Sequence, residues 1–415
     1  MEPDKRKQKK IAFMCNGFPI ISETFITNQV ISAHNLGYDV EIHANYQYEF
    51  EKNTYIDSEF LKQSIYIAHD MPSGKRRRFI LAFELAKKKK SLISLVRSMN
   101  PLKFGRKAFN LRNFFSLTSF LDSGKPNLIH AHFGPNGIKA VNARRCGLVN
   151  CPIITSFHGY DAFAQERDLP ALRKKYHNLF EHGELFLVNS NFLHNQLVNL
   201  GCTPSKIVKI PLGVNTNLFK PAKVLNVEIG KQIKLITTGR LIELKNQRFG
   251  ILILSWLIEA GLDASYTLIG SGPELQNLNL LAEKLGIQDH VIFAGNKSPD
   301  EIAKILPQHH IFLMTSNHDG EGRTETQGIV TAEAQSCGLP VLAFGAGGTK
   351  ETIQEGVTGY IIGEKSKQYV VELVTELIQP ENYRRLSANA RHYILNYYNI
   401  DETNRKLDEI YNNYC

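Results

Sequence analysis

The chain has 415 residues, of which 43% are hydrophobic and 21% charged, and a formal net charge of +9. These values exclude a disordered or fibrous chain and allow two or three ordinary domains, two being the simplest count. Six scattered cysteines (15, 146, 151, 202, 337 and 415) with no CxxC pair argue against a disulfide framework or a zinc site and suit a reducing cytoplasm.

The basic opening "MEPDKRKQKK" leads into "IAFMC" (11–15). That apolar run is too short for a secretion signal and is predicted to be the first strand. A helix is expected over 21–38 and a strand over 39–44. Between Pro72 and Lys107 stand twelve Lys/Arg and one acid, Glu84. A solvated helical face is one reading of this segment. The sharper one is contact with an anionic membrane surface, to which each basic group contributes about 1 kcal/mol. Phe79, Ile80, Leu81, Phe83 and Leu85 interleave with the charges as an interfacial helix requires. Nucleic acid is not expected, because no binding motif accompanies the charge.

Strands are predicted at 126–133, 152–159, 185–190 and 207–214, with helices at 137–147 and 191–201. His130 and His132 alternate with apolar residues, so one is expected to face inward and one outward; without an acidic or cysteine partner nearby they are not expected to hold a metal. Residues 211–232, irregular and holding two prolines, are the expected interdomain linker. The rhythm then restarts, with strands at 233–241, 265–272, 290–295, 311–316 and 340–345 and helices at 247–261 and 274–286. The apolar run 251–262, the richest in the chain, holds Ser255 and Glu259; it is shorter than a membrane span and reads as a buried helix. Alternating strands and helices in both halves predict an α/β chain with two Rossmann-like, doubly wound domains, 1–212 and 213–382, facing a cleft.

Ligands of open parallel sheets bind beyond the carboxyl ends of strands. Those ends carry polar, glycine-rich loops at 16–18, 132–137, 157–161, 239–246, 270–272 and 345–348. Arg240 and Lys245 follow Gly239 in a loop before a helix. They are either surface cations or two donors for one diphosphate, each charged hydrogen bond contributing about 1.5–3 kcal/mol. Gln327, Gly328, Ile329 and Val330 read as a helix start whose free amides favour an anion. Glu325 precedes that helix and Glu333 lies inside it, eight residues on. They are either a cap and a solvated residue, or two carboxylates accepting hydroxyls on both flanks of a phosphate. Glu321 offers a competing first position. His158, between a strand end and Gly159, is either structural or a ligand contact. No Asp-x-Asp pair occurs, so the usual aspartates for a nucleotide-bound divalent ion are lacking.

The segments "SFHGYDAF", "KIVKIPLGVNTNLF", "GRLIELKNQ", "LIGSGPEL", "VIFAGNKSPDEI" and "ETQGIVTAEAQSCGLPVLAFGAGGTKETIQEGVTGYII" resemble the retaining, nucleotide-sugar-dependent glycosyltransferases of family 4 type (glycosyl transferases group 1), which have the GT-B fold. "FPIISETFITNQV" with "HAHFGPNG" is similar to the subgroup that builds exopolysaccharides of the colanic-acid kind, or lipopolysaccharide.

The resemblance implies transfer of a hexose with retention from a nucleotide-diphosphate sugar, a UDP-sugar by default, with no metal or other cofactor. Arg240 and Lys245 would bind the diphosphate, Glu325 and His158 the transferred sugar, and Glu333 the ribose. The loop at Gly17, the glycines at 239, 270 and 272, and the amides of Gln327, Gly328 and Ile329 would line the donor site. The first half would hold the acceptor. The basic segment 75–107, rather than the resemblance, suggests that this acceptor is a glycan or lipid-linked glycan at the inner face of a membrane, with the protein cytoplasmic and peripheral there. A last helix, 383–415, would return to the first domain. Two positions depart from the family pattern: Glu325 is followed by Thr326-Gln327-Gly328 rather than a glycine-rich run, and Lys245 by Asn246 rather than glycine. A nucleotide-sugar 2-epimerase and a non-catalytic, membrane-associated binding protein are the competing readings.

Overall fold

The computed structural model of the chain describes residues 9–20, 23–48, 58–163, 165–222, 232–363 and 365–415. The basic start 1–8, the first two residues of the expected helix 21–38 and linker residues 223–231 lie outside the described residues, as do the side chains of Arg106 and Lys107.

Two parallel sheets organise the chain. The first contains β1 (Lys10–Met14), β3 (Asp39–Ala44), β5 (Ile65–Ile67), β6 (Leu128–His132), β7 (Ile153–Ser156), β8 (Leu185–Val188) and β9 (Ile207–Lys209), in the order β5-β3-β1-β6-β7-β8-β9. Two short strands, β2 (Gly17–Phe18) and β4 (Tyr46–Gln47), pair beyond the carboxyl ends of β1 and β3. The second contains β10 (Ile233–Thr238), β11 (Ala264–Ile269), β12 (Val291–Gly295), β13 (Ile311–Met314), β14 (Val341–Ala343) and β15 (Gly359–Ile361), in the order β12-β11-β10-β13-β14-β15. Parallel neighbours need crossover helices, which cover both sheet faces. The central strands are accordingly buried along their length, as in "LIHAH" of β6 and "IFLM" of β13. The strand order reverses between β1 and β6 in one sheet and between β10 and β13 in the other, which opens a crevice at the strands' carboxyl ends in each.

The helices needed below are α1 (Thr24–Asn35), α2 (Lys75–Lys88), α3 (Leu92–Ser98), α4 (Gly134–Cys146), α5 (Asn191–Asn199), α6 (Ile329–Ser336), α7 (Pro380–Tyr397) and α8 (Ile400–Tyr414). Among the described residues, no helix is long and apolar enough to cross a membrane.

Two expectations are corrected. His130 and His132 are both fully buried, with ring centroids 4.5 Å apart; residues two apart on a strand share a face, so they could not point in opposite directions. The expected single helix over 383–415 is two helices, broken at Tyr398 and Asn399. Leu386 and Ile394 of α7 pack in the second domain, and only α8 packs in the first, through Leu407 and Tyr411. The two chain crossings touch: Val214 donates to the carbonyl of Tyr398 at 2.7 Å and accepts from the amide of Ile400 at 3.0 Å.

Candidate functional site

The cleft wall of the second domain is built by glycines that let three loops press together. A Cβ on Gly270 would stand 2.0 Å from the carbonyl oxygen of Gly239, and one on Gly272 would stand 2.2 Å from that of Leu241. The loop after β11 thus props the loop after β10. Asn246 takes a left-handed conformation (φ 47°, ψ 43°), one that asparagine tolerates nearly as glycine does. The departure from glycine at this position therefore leaves the turn intact.

This turn folds Lys245 back over Gly239. Its Nζ lies 2.7 Å from Oε2 of Glu325, both side chains being largely buried. Arg240 is exposed and has no side-chain partner among the described residues. Glu321, the competing first carboxylate, points elsewhere and pairs with Arg323 at 2.9 Å.

Glu325 is held by a third loop. Its carbonyl accepts from the amide of Gly348 at 2.9 Å. Cβ atoms on Gly347 and Gly348 would stand 2.3 Å from the carbonyl oxygen of Glu325 and 1.8 Å from that of Thr326. Only glycine allows this crossing of backbones. Gly328 then opens α6 with φ 76°, and the amides of Gly328 and Ile329 have no acceptor among the described residues. The carboxyl of Glu333, one turn into α6, also has no hydrogen-bond partner among them, and burial pushes it up to about 8. The side chain of Gln327 is occupied, clasping both backbone groups of Leu212 at 2.8 and 2.9 Å. Its backbone amide, the group expected to line the donor site, is not engaged by this clasp.

The opposite wall belongs to the first domain. His158 receives the ring of His132 (Nδ1 to Nε2, 3.2 Å) and packs on Phe25 of α1 and on Phe133. Its Nδ1 has no partner among the described residues. Burial first, then His130, lower its imidazole to about 3, so the ring is neutral near pH 7. Asp161 accepts from the amides of Gly134 at 2.8 Å, His158 at 3.2 Å and Gly159 at 3.0 Å. It pins the histidine loop to the start of α4.

Thr326 joins the walls. Its hydroxyl donates to the carbonyl of His158 at 3.0 Å and accepts from Asn189 at 3.0 Å. The residue after Glu325 thus bonds the residue expected to face it. A second latch is Glu351, which accepts from the amides of Asn191 and Phe192 at the start of α5, at 2.9 and 2.8 Å.

The structure brings Gly239, Lys245, Gly270, Gly272, Glu325, Gly328 and Ile329 into one set of interlocked loops, with Arg240 and Glu333 beside them and His158 across the cleft. Gly17 is buried in β2, where an added Cβ would meet the ring of Tyr48. Sequence reasoning missed Asp161, Asn189, Thr326 and Glu351. Asp161 lay in a quoted loop, and Thr326 and Glu351 in a segment that carries the resemblance, but nothing in their spacing marks them.

Two family profiles match the chain: "Glycosyltransferase Family 4" over residues 23–218 and "Glycosyl transferases group 1" over 223–393. The chain is 26% identical to WcaL of Salmonella typhimurium, a protein named for colanic acid biosynthesis, over 96% of this chain and 98% of that one. It is 26% identical to the amylovoran biosynthesis glycosyltransferase AmsK of Erwinia amylovora, over 90% of this chain and 91% of that one. The fold matches that of Anabaena Alr3699/HepE, solved with UDP and glucose, with a TM-score of 0.69 and 17% identity over 97% of this chain and 99% of that one.

Proposed function

Because the chain belongs to the group 1 glycosyltransferases, with the GT-B arrangement of two Rossmann-like domains, we propose that its cleft transfers a hexose from a UDP-sugar to a glycan or lipid-linked glycan in exopolysaccharide or lipopolysaccharide synthesis, with retention at the anomeric carbon and without a metal ion. The observation that carries this reading is the Lys245–Glu325 pair, in loops shared with Arg240 and with the start of α6, whose side chain and first amides respectively have no partner among the described residues. A cation, a carboxylate and oriented N–H groups converge there, as a diphosphate joined to a sugar requires.

In this mechanism Arg240, Lys245 and the amides of Gly328 and Ile329 take up charge on the departing diphosphate, the group that gains most negative charge in the transition state. Glu325 accepts hydroxyls of the transferred hexose and Glu333 those of the ribose. Neutral His158 offers Nδ1 to the hexose from the other wall. The bond from the anomeric carbon to phosphate oxygen breaks through an oxocarbenium-like state. The acceptor oxygen bonds on the same face, and its proton passes to the leaving phosphate oxygen. The likeness to relatives named for colanic acid and amylovoran biosynthesis supports the acceptor class.

The test is turnover of a panel of UDP- and GDP-hexoses with chelator present, on acceptors extracted from an exopolysaccharide-producing strain, with the product's anomeric configuration read by NMR. Product of inverted configuration, or full dependence on added divalent ion, overturns the mechanism. Conversion of the donor sugar with no acceptor present selects the 2-epimerase.

A further inference from the structure

Residues 68–127 form a helical insertion between β5 and β6. It carries a small core of its own, in which Ala82, Ala86, Leu95, Leu111, Phe114 and Phe115 are buried together. The opposite face of α2 is therefore left without an internal partner. On it Arg76, Phe79, Ile80, Phe83 and Lys87 fall at helical spacing, all exposed. Leu92, Ile93 and Val96 of α3 continue the apolar surface, the last two 69% and 68% exposed, and Leu102 follows at 96%. Of eighteen large apolar side chains exposed among the described residues, eight lie between Phe79 and Phe109. A soluble surface seldom concentrates them so.

The charges around this patch are predominantly positive. Lys75, Arg76, Arg77, Lys87, Lys88 and Lys103 have no ion-pair partner among the described residues, whereas Lys89 is paired with Asp122 and Arg97 turns back against Gly147. Glu84 is the one acid of α2 and α3. A partner protein of ordinary composition would meet the apolar stripe with neutral groups. A basic rim around exposed Phe, Ile and Leu instead matches a layer whose surface is anionic and whose interior is hydrocarbon.

We propose that α2, α3 and Leu102 form a membrane-docking face that lies on a bilayer bearing anionic headgroups, with Phe79, Ile80, Phe83, Ile93, Val96 and Leu102 entering the acyl boundary and the unpaired lysines and arginines meeting headgroup phosphates. The face is independent of the donor site, so it stands or falls apart from the proposed reaction.

The experiment is co-flotation of the full chain with phosphatidylcholine vesicles and with vesicles containing phosphatidylglycerol. Binding to the anionic vesicles alone is expected, weakened by added salt. Each neutralised cation is expected to reduce the partition coefficient about fivefold, so Lys87→Gln with Lys88→Gln should reduce it roughly twenty-fivefold. Phe83→Ser with Ile93→Ser should abolish flotation while leaving the thermal midpoint unchanged, since neither side chain is buried. Equal flotation of the wild type and both variants overturns the proposal, as does binding to neither vesicle. Binding to RNA in place of vesicles, or a dimer in light scattering that the Phe83→Ser, Ile93→Ser variant abolishes, also overturns it.

Discussion

Nζ of Lys245 lies 2.7 Å from Oε2 of Glu325, across 80 residues of chain. The cation expected to meet the diphosphate and the carboxylate expected to meet the sugar hold each other. Each keeps the other aimed, and in the proposed reaction donor binding would replace this one contact with several.

Removing either partner therefore acts on different quantities. Lys245→Ala should lower kcat/KM by about 10- to 150-fold, the worth of one charged hydrogen bond, and weaken UDP binding. Glu325→Gln should lower kcat by a similar factor while leaving UDP affinity within about threefold, because UDP carries no hexose. Steady-state kinetics with UDP calorimetry separates the two. Equal loss of UDP affinity in both variants would contradict the division of labour.

Glu333 predicts a slope in stability against pH. Its carboxyl sits near 8 in the fold, raised by burial, against an ordinary 4.5. Folded chain thus keeps a proton that unfolded chain releases, and linkage makes stability fall as pH rises through that interval. Below about 4.5 the contribution of this group is fully present, and by about 8 it is lost. Glu333→Gln should flatten this component in thermal melts taken across that range. A variant as steep as the wild type would refute the assignment.

Glu351 caps the start of α5 from the other domain. Glu351→Ala should cost about 0.5–2 kcal/mol, the range of a lost N-cap, and should enlarge the radius of gyration seen by small-angle X-ray scattering. An unchanged scattering curve together with unchanged kcat/KM would mean that the latch does not govern closure.

Gly348→Ala should abolish activity, because its Cβ would lie 1.8 Å from the carbonyl oxygen of Thr326 and must force apart the loop that carries Glu325. Gly286→Ala is the control. Its φ is 69° but nothing lies within 4 Å of the added Cβ, so only the strain of a left-handed alanine remains, about 1–2 kcal/mol, with kcat/KM intact. Equal activity of the two variants would show that the loop crossing is dispensable.

Much of the scaffold was legible because short apolar runs and glycine-rich strand ends encode parallel sheets locally. "IAFMC", "DVEIHA", "IFLM" and the loops at 239 and 345 lie close to where their patterns put them. β15, at the edge of its sheet and three residues long, carries too little pattern to stand out. The site was legible as residue types but not as contacts. Spacing selected Glu325 and Lys245, yet could not say that they touch, nor that Gln327 would spend its amide on Leu212. Asp161 and Thr326 work by bonding backbone groups brought near only by the fold, and a backbone acceptor leaves no trace in a sequence.

The paired crossings at Val214 and Tyr398–Ile400 have a mechanical consequence. Two strands of chain bonded side by side bend about one line but resist twisting, so the halves can swing like covers on a spine while their facing loops stay in register. Because α8 continues straight from that spine into the first domain, trimming the last turn or two would not loosen the joint alone. It would uncover the apolar seat of Leu407 and Tyr411 and unsettle the first domain.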